Sequence, residues 1–500
     1  MMLSHGSAYL MVVLLVQIFS SSGCPDQCQC FSRTTVVCSN ENQSVFPLNI
    51  SPEARELILL NQGLSQLHAN LLTHSHSLRK LVILNAGLRS ISDEAFSRME
   101  SLQELEISGN AEWLGLNQRT FSSLQNLTRL ILNSDRLLAV PSAAFDWLRN
   151  LDTLELRGNA LASLPEQIFH PLHQLTTLDL SFNQISRVPD GLLRNTSRLR
   201  RLSLQSNAIS NLPEEVFFGL ERLEELNLQN NLISCLTPGV FPSSLTKLML
   251  KKNNLTHLDP RVFHNLLYTT QLDLSQNKLT EIPTGVLWSL ISLESLDLSE
   301  NQLTSLGGTP FKGLFNLKSI HLQKNHLTQL EGQLLKDQND LQRLDLSYNN
   351  LTNIPKDLLT ELNFGIMVTL GSNPWSCDCT LLSLFEWLKN HQRSLQDPLK
   401  IRCAAPHFLH GVNLVSLEED ALFCLRELPS SPRHKSLEVP GAEAIRCWLR
   451  EEEGAAVVQC KVRGCSRLRF EAVYDINQSE RVSREWPTPP GCPSGIGSDS

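Results

Sequence analysis

The chain has 500 residues, with 43 Lys and Arg against 51 Asp and Glu and a formal net charge of −8. The two signs are mixed along its length, which argues against nucleic acid or an anionic membrane as the main partner. Such a length ordinarily implies about three or four domains, unless internal repeats merge it into one elongated body.

Residues 1–23 contain no Lys, Arg, Asp or Glu, and their apolar stretch runs from Leu10 to Phe19. Ser21, Ser22 and Gly23 then offer the small residues that suit a signal-peptidase cut before Cys24. The apolar stretch is too short to span a bilayer, and no later segment approaches the roughly eighteen apolar residues a span needs. Pro493 to Ser500 are polar, unlike the hydrophobic tail of a lipid-anchored precursor. The expectation is a signal peptide over 1–23 and a soluble, secreted, extracellular plasma chain with no membrane anchor. Thirteen cysteines, gathered at the ends of the chain's repeated part and beyond it, fit an oxidising compartment. Asn-x-Ser/Thr sequons at Asn42, Asn49, Asn126, Asn195, Asn254, Asn350 and Asn477 favour a glycoprotein.

Residues 24–55 carry Cys24, Cys28, Cys30 and Cys38. Four cysteines could hold a metal, but in a secreted chain beside a hydrophobic array disulfides are favoured, with three pairings open.

From residue 56 to 372 the pattern Leu-x-x-Leu-x-Leu-x-x-Asn-x-Leu recurs. Its Asn falls at Asn110, Asn159, Asn183, Asn207, Asn231, Asn253, Asn277, Asn301, Asn325, Asn349 and Asn373, mostly in steps of 24 residues, with a 22-residue step ending at Asn253. Asp135, Ala86 and Gln62 fall in the same slot when the period is extended backwards, giving about fourteen repeats. A second register runs through Phe96, Phe145, Phe169, Leu193, Phe217, Phe241, Phe263, Leu287 and Phe311, and a third through Pro141, Pro165, Pro189, Pro213, Pro283 and Pro355. The two leucines of Leu-x-Leu share one side of a strand and the residue between them faces the other. Stacked repeats therefore make a parallel sheet, with the Phe-bearing half returning along the back and Leu and Phe filling the space between. Each Asn, where the chain leaves its strand, can satisfy backbone groups the sheet does not pair. Amphipathic helices or a coiled coil would not tolerate the recurring Pro. The fold class expected is an α/β solenoid: a leucine-rich-repeat horseshoe with a parallel concave β-sheet, disulfide caps at both ends and a small disulfide-bonded tail. Fourteen strands give an inner surface on the order of 60 Å long.

Residues 373–424 carry Cys377, Cys379, Cys403 and Cys424, again better read as disulfides than as a metal site. Leu381 to Leu388 reads as a short helix with Leu382, Phe385 and Leu388 on the face that closes the core. Pro, Ser and charges make residues 425–446 a linker. The tail, 447–500, contains Cys447, Cys460, Cys465 and Cys492, with strands suggested at Val457-Val458 and Leu468-Arg469-Phe470. So short a unit supports two disulfides. Cys235, inside a repeat between Ile233 and Leu236, is expected to be a free, partly covered thiol.

No catalytic apparatus emerges. Among fourteen histidines there is no His-Glu-x-x-His or His-x-x-Glu pair, and the chain has neither a Gly-x-Ser-x-Gly elbow nor a phosphate-binding loop. Asp179, Asp273, Asp297 and Asp345 recur in Leu-Asp-Leu-Ser runs, which the periodicity puts in a row on the outer face of the sheet, as a solvated or a binding stripe. The expectation is a non-enzyme with no cofactor and no metal.

The flanking cysteine spacings resemble the caps of extracellular leucine-rich-repeat proteins. That resemblance implies the pairs Cys24–Cys30, Cys28–Cys38, Cys377–Cys403 and Cys379–Cys424. More closely, the chain resembles the regulatory subunits of carboxypeptidase N. The resemblance rests on Cys24-Pro-Asp-Gln-Cys-Gln-Cys-Phe31, Leu81-Val-Ile-Leu-Asn-Ala-Gly-Leu88, Leu105-Glu-Ile-Ser-Gly109, Gly454-Ala-Ala-Val-Val-Gln-Cys460, Cys465-Ser-Arg-Leu468, Tyr474 and Glu485-Trp486. Two features depart from the family: little follows Cys492, and Phe364 to Asn373 is more like leucine-rich alpha-2-glycoprotein. The resemblance implies a non-catalytic glycosylated plasma chain that binds and stabilises a zinc carboxypeptidase removing C-terminal Lys or Arg, in a hetero-oligomer of two regulatory and two catalytic chains. The alternatives are a free plasma glycoprotein binding a growth factor or cytokine, and a soluble adhesion or innate-recognition protein.

The surface expected to hold the partner is the concave sheet around the middle and later repeats. Its exposed positions are Arg157, Asp179, Arg201, Glu225, Asn227, Lys247, Lys251, Asp273, Asp297, His321, Arg343, Asp345 and Tyr348, joined by Phe182. Both charges and a few aromatics suit protein recognition. The sequons avoid the outward strand positions, so glycans should leave that face open.

Overall fold

A computed structural model of the chain describes residues 24–422 apart from 26–27, 40–45, 48, 62, 69–70, 73–74, 114, 307–308, 363–364 and 419–420, together with the backbone of the strands at 445–452, 455–462, 469–473 and 481–485. The expected signal peptide, the sequons Asn42 and Asn477, Cys424, Cys465 and Cys492 lie outside the described residues, as does all but the end of the expected linker.

One sixteen-stranded sheet organises the chain. It begins with an antiparallel hairpin, Cys28–Cys30 against Thr35–Ser39, in which Cys28 stands opposite Cys38. Disulfides join Cys24 to Cys30 and Cys28 to Cys38. Taking away the two hairpin strands leaves fourteen, running in parallel from Glu56–Leu60 to Met367–Thr369, one per repeat. The register is residue for residue: Leu57 lies beside Leu81, Leu81 beside Leu105, Leu105 beside Leu130 and Leu130 beside Leu154. These leucines are fully buried. Burial at this level contributes about 1.5–3 kcal/mol for each such side chain. The strands from Glu56 to Asn133 are five residues long and the later ones three.

The Asn slot is a ladder of hydrogen bonds between successive repeats. Asn159 Nδ2 donates to Leu132 O (2.7 Å) and Leu156 O (3.0 Å), while its Oδ1 accepts from the backbone of Asp135 and Leu137. Asn183, Asn207, Asn231, Asn253, Asn277, Asn301, Asn325, Asn349 and Asn373 donate in the same way to the two strand-end carbonyls. The residue before each slot turns the chain out of the sheet with a positive φ, from Asn61 (49°) through Gly109 (78°) to Ser372 (58°). At Gly109 a Cβ would stand 2.0 Å from Asn85 Oδ1, so a larger residue there requires the Asn85 side chain to shift.

The return segments are mostly turns rather than helices. Pro141, Pro165, Pro189, Pro213 and Pro283 each open one, accepting from the N–H three residues on. Pro355 opens the helix Lys356–Glu361. Proline suits these places because its missing N–H has no partner there. Behind the sheet Phe96, Phe121, Phe145 and Phe169 stack at 6.2, 6.5 and 6.3 Å between ring centroids. Phe121 was not expected in this row, because the step from Asn110 to Asp135 is 25 residues and displaces it by one.

The far end of the sheet is covered rather than left open. Gln396 N donates to Val368 O and Ser372 N to Lys400 O. The helix Leu382–Asn390 follows a 3₁₀ turn at Cys379–Leu381 and buries Leu384, Phe385, Trp387 and Leu388. Leu382 is only partly buried, packed against the core beside the buried Leu384, Phe385, Trp387 and Leu388. A disulfide joins Cys377 to Cys403, and Cys379 is disulfide-bonded as well. Beyond lie two antiparallel hairpins, Ile445–Glu452 with Ala455–Val462, and Arg469–Val473 with Arg481–Glu485. Among the described residues no helix is long and apolar enough to cross a membrane.

Candidate protein-binding surface

Between the buried leucines, each strand sets its alternate side chains on the concave face, and the register lines them up across repeats. One row reads Arg201, Glu225, Lys247, Gln271, Ser295, Ser319, Arg343. Within it Lys247 Nζ pairs with Glu225 Oε1 at 2.8 Å, and Arg201 donates to Thr177 Oγ1 at 3.2 Å. A second row brings Asp273, Asp297, His321 and Asp345 side by side, while Ser203, Asn227 and Met249 separate them from Asp179. Tyr348 stands apart from both rows. It is the positive-φ residue before Asn349 (53°), exposed at the rim where the chain leaves its strand. Phe182 holds the equivalent place before Asn183, with the Arg157 guanidinium 4.6 Å over its ring.

The four recurring aspartates have a structural task. Asp179, Asp273, Asp297 and Asp345 each accept at Oδ1 from the N–H of the serine two residues on, at 2.8–2.9 Å, and Ser275 and Ser347 add their hydroxyls. The Leu-Asp-Leu-Ser motif is therefore a local turn at the strand exit, which explains its periodicity without a ligand. Among the described residues no group of three His, Cys, Asp or Glu could hold a metal ion.

The earlier, longer strands make a different surface. Their central row runs Val37, Ile58, Val82, Glu106, Ile131, Glu155. Val82 and Ile131 are buried against their neighbours although they point to the open face. Lys80, Leu81, Val82, Glu104, Leu105, Glu106, Arg129 and Ile131 line a concavity of about 280 Å³. Around it Lys80 pairs with Glu104 (3.0 Å) and Arg129 with Glu155 (2.7 Å), and Glu155 also accepts from Asn133 Nδ2 (3.1 Å). Glu106 has no hydrogen-bond or ion-pair partner among the described residues. Burial, and then the neighbouring Glu155 carboxylate, push its carboxyl above the usual range, against the pull of Arg129 and Lys80. Glu106 is not singled out by the sequence, because its repeat keeps the Asn110 slot but carries Glu-Ile-Ser where later repeats have Asp-Leu-Ser.

Two further features lie on the flank where chains enter their strands. Near the start, Arg79, Gln103, Asn126, Thr128, Asp152, Thr176 and Arg198 line a polar cleft that contains one sequon. In later repeats the flank carries Leu267, Ile291 and Phe315, each four residues before its strand and 44, 51 and 60% exposed, an apolar row at the repeat period. Asn126 and Asn195 are exposed in return segments, and Asn254 and Asn350 each follow an Asn slot. Cys235 is a free thiol and exposed, more open than expected, because it points outward between the buried Ile233 and Leu236.

A one-strand-per-repeat parallel sheet, an Asn ladder and an open concave face define a leucine-rich-repeat protein-binding scaffold. Residues 76–137, 125–185, 197–242, 243–303, 291–351 and 315–363 match the leucine rich repeat family, together more than half of the chain, and the chain belongs to that family. It is similar to Carboxypeptidase N subunit 2 of Homo sapiens, at 32% identity over 155 residues, 27% of this chain and 28% of the relative. It is also similar to the Mus musculus subunit, at 33% over 97 residues, 19% of this chain and 17% of the relative. The alignments thus span under a third of the length of these curated relatives. Among solved structures, TLR13 from its complex with ssRNA13 is 26% identical with a TM-score of 0.66, over 76% of this chain and 55% of that one. A Leptospira interrogans LRR protein is 26% identical with a TM-score of 0.56, over 72% of this chain and 93% of that one.

Proposed function

We propose that this chain is a secreted, non-catalytic scaffold that binds and stabilises a zinc carboxypeptidase removing C-terminal Lys or Arg, as the regulatory chain of a plasma hetero-oligomer. The observation that carries the partner assignment is the 32% identity with Carboxypeptidase N subunit 2. The concave sheet supports the manner of binding. It is long and continuous, it mixes paired charges with apolar positions, and mixed surfaces of this kind suit protein partners. In this reading residues 24–55 and 373–424 are end caps, and the disulfides Cys24–Cys30, Cys28–Cys38 and Cys377–Cys403 suit an oxidising, extracellular setting. A glycan on Asn126 would fill the flank cleft and leave the concave face clear.

The test is affinity capture from plasma with the full tagged chain, secreted from mammalian cells. Mass spectrometry of the co-purifying proteins and an assay on a peptide ending in arginine follow. The expected result is a stoichiometric metallocarboxypeptidase whose activity resists heating better in the complex than alone. Recovery of a growth factor, a cytokine or a cell-surface receptor in its place overturns the carboxypeptidase assignment. Activity that persists in the chain after every co-purifying protein is removed overturns the non-catalytic one.

A further inference from the structure

We propose that the concavity around Glu106 is a subsite for one cationic side chain, arginine or lysine, presented by a protein partner. The inference deepens the reading of the concave sheet as a protein-binding surface and rests on it.

Three observations converge. First, charge: the two cations Lys80 and Arg129 face the three carboxylates Glu104, Glu106 and Glu155, so the cluster is one cation short. Lys80 is committed to Glu104 and Arg129 to Glu155. Second, place: Glu106 sits between Val82 and Ile131 in the register, with both apolar side chains packed low in the face. Third, shape: these residues line a concavity of about 280 Å³. Long cationic side chains have two chemical parts, an apolar stem and a charged head. Val82 and Ile131 would take the stem and Glu106 the head. A charge-assisted hydrogen bond in such a half-desolvated site is stronger than one in water. A neutral or anionic side chain would leave Glu106 unpaired beneath it. The carboxylates of the other acidic row each already accept a serine N–H at Oδ1, a hydrogen bond that Glu106 lacks.

The experiment uses the full chain and a defined probe, the peptide acetyl-Gly-Leu-Arg-Leu-Gly-amide, with its citrulline counterpart as the uncharged isostere. Saturation-transfer NMR reports which peptide protons touch the protein. The expected result is transfer to the arginine methylenes that falls about tenfold with citrulline and in Glu106→Gln, the loss of one charge-assisted hydrogen bond. Glu300→Gln, which removes a carboxylate from a distant ion pair, should leave it unchanged. The subsite is overturned if native protein shows no preference for arginine, if transfer survives in Glu106→Gln, or if Glu300→Gln abolishes it equally. Because the probe is not the carboxypeptidase, failed capture of that enzyme with intact peptide binding sinks the partner assignment alone. Intact capture with no peptide binding sinks the subsite alone.

Discussion

Asp135 Oδ1 accepts two hydrogen bonds from Asn110, one from its backbone N–H (2.8 Å) and one from its side-chain Nδ2 (3.1 Å). Asp135 stands in the slot that Asn holds in the neighbouring repeats. Its Oδ1 accepts the backbone N–H of the preceding slot as an Asn Oδ1 does, but its Oδ2 is buried and has no partner. The equivalent atom in Asn159 is an amide nitrogen that donates to two carbonyls. A carboxylate oxygen cannot donate at all; a protonated one supplies a single O–H donor. Burial accordingly pushes the Asp135 carboxyl up to about 7.

The consequence is a pH dependence of stability with a definite sign. The raised folded-state pKa means that, between the ordinary Asp value near pH 4 and about 7, the native state holds a proton that the unfolded state has lost. Stability therefore falls as pH rises through that window and stays lowered above it, by at most about 4 kcal/mol. Asp135→Asn restores the amide and removes the titration. The expected outcome is a higher urea midpoint than wild type at pH 8, converging with it near pH 4. Parallel pH profiles for the two proteins would show that Asp135 does not titrate in this way.

The reverse exchange tests the ladder itself. Asn277 Nδ2 donates to Leu250 O and Leu274 O, both at 3.0 Å, and its Oδ1 accepts from Leu255 N at 3.1 Å. Asn277→Ala leaves the buried Leu255 N–H without a partner, at about 1–3 kcal/mol, and removes one of two donors at Leu250 O and Leu274 O, which keep Asn253 and Asn301. Since repeats pack only on their neighbours, the damage should be local. Hydrogen exchange should quicken in the strands Lys247–Met249, Gln271–Asp273 and Ser295–Asp297 before it does at the ends. A uniform loss of protection along the whole solenoid would contradict this.

The parts of the fold that repeat were legible in the sequence, because one physical requirement is imposed fourteen times. Leucine alternation gives the strand faces, and the Asn slot marks where a strand ends. What repeats with an altered step was harder to see: Phe121 fell out of its row through a single extra residue. Function was legible only as a surface. Asp273 and Asp345 resemble ligands in a sequence, yet their hydrogen bonds close within two residues, a local event that periodicity cannot distinguish from recognition. Glu106 carries no motif at all. Its character comes from Val82 and Ile131, more than twenty residues away on either side, which only the sheet register brings together.

Cys235 offers a chemical check on the outer surface. Its thiol is free and exposed, whereas Cys24, Cys28, Cys30, Cys38, Cys377, Cys379 and Cys403 are disulfide-bonded. Treating the unreduced native protein with a maleimide should label the peptide containing Cys235 and none of those containing the other seven. Label at Cys377 or Cys379 before reduction would mean that the C-terminal end of the sheet is not cross-linked as described.

The last prediction decides which half of the concave face holds the partner, by placing a glycan on each half in turn. Two strand positions become sequons through one substitution. Asp297→Asn gives Asn-Leu298-Ser299 in the later repeats, and Glu106→Asn gives Asn-Ile107-Ser108 in the earlier ones. Both side chains sit on the concave face, part-exposed, between buried leucine-type neighbours, so the polypeptide should tolerate the change. The wild-type Asp297 carboxylate accepts from Ser299 N at 2.9 Å, a bond the amide oxygen of Asn can also accept. A glycan is far larger than any side chain and blocks a protein interface wherever it projects into one. If the Glu106 subsite anchors the partner, the glycan at 106 abolishes capture while the glycan at 297 weakens it less. Glu106→Gln, which removes the charge without adding bulk, should then lower affinity about tenfold by itself. The opposite order, with capture lost at 297 and kept at 106 once mass spectrometry confirms both glycans, moves the interface to the later strands around Asp273, His321 and Asp345. Unchanged capture in both variants removes the concave face from consideration and leaves the apolar flank row of Leu267, Ile291 and Phe315 as the surface to test next.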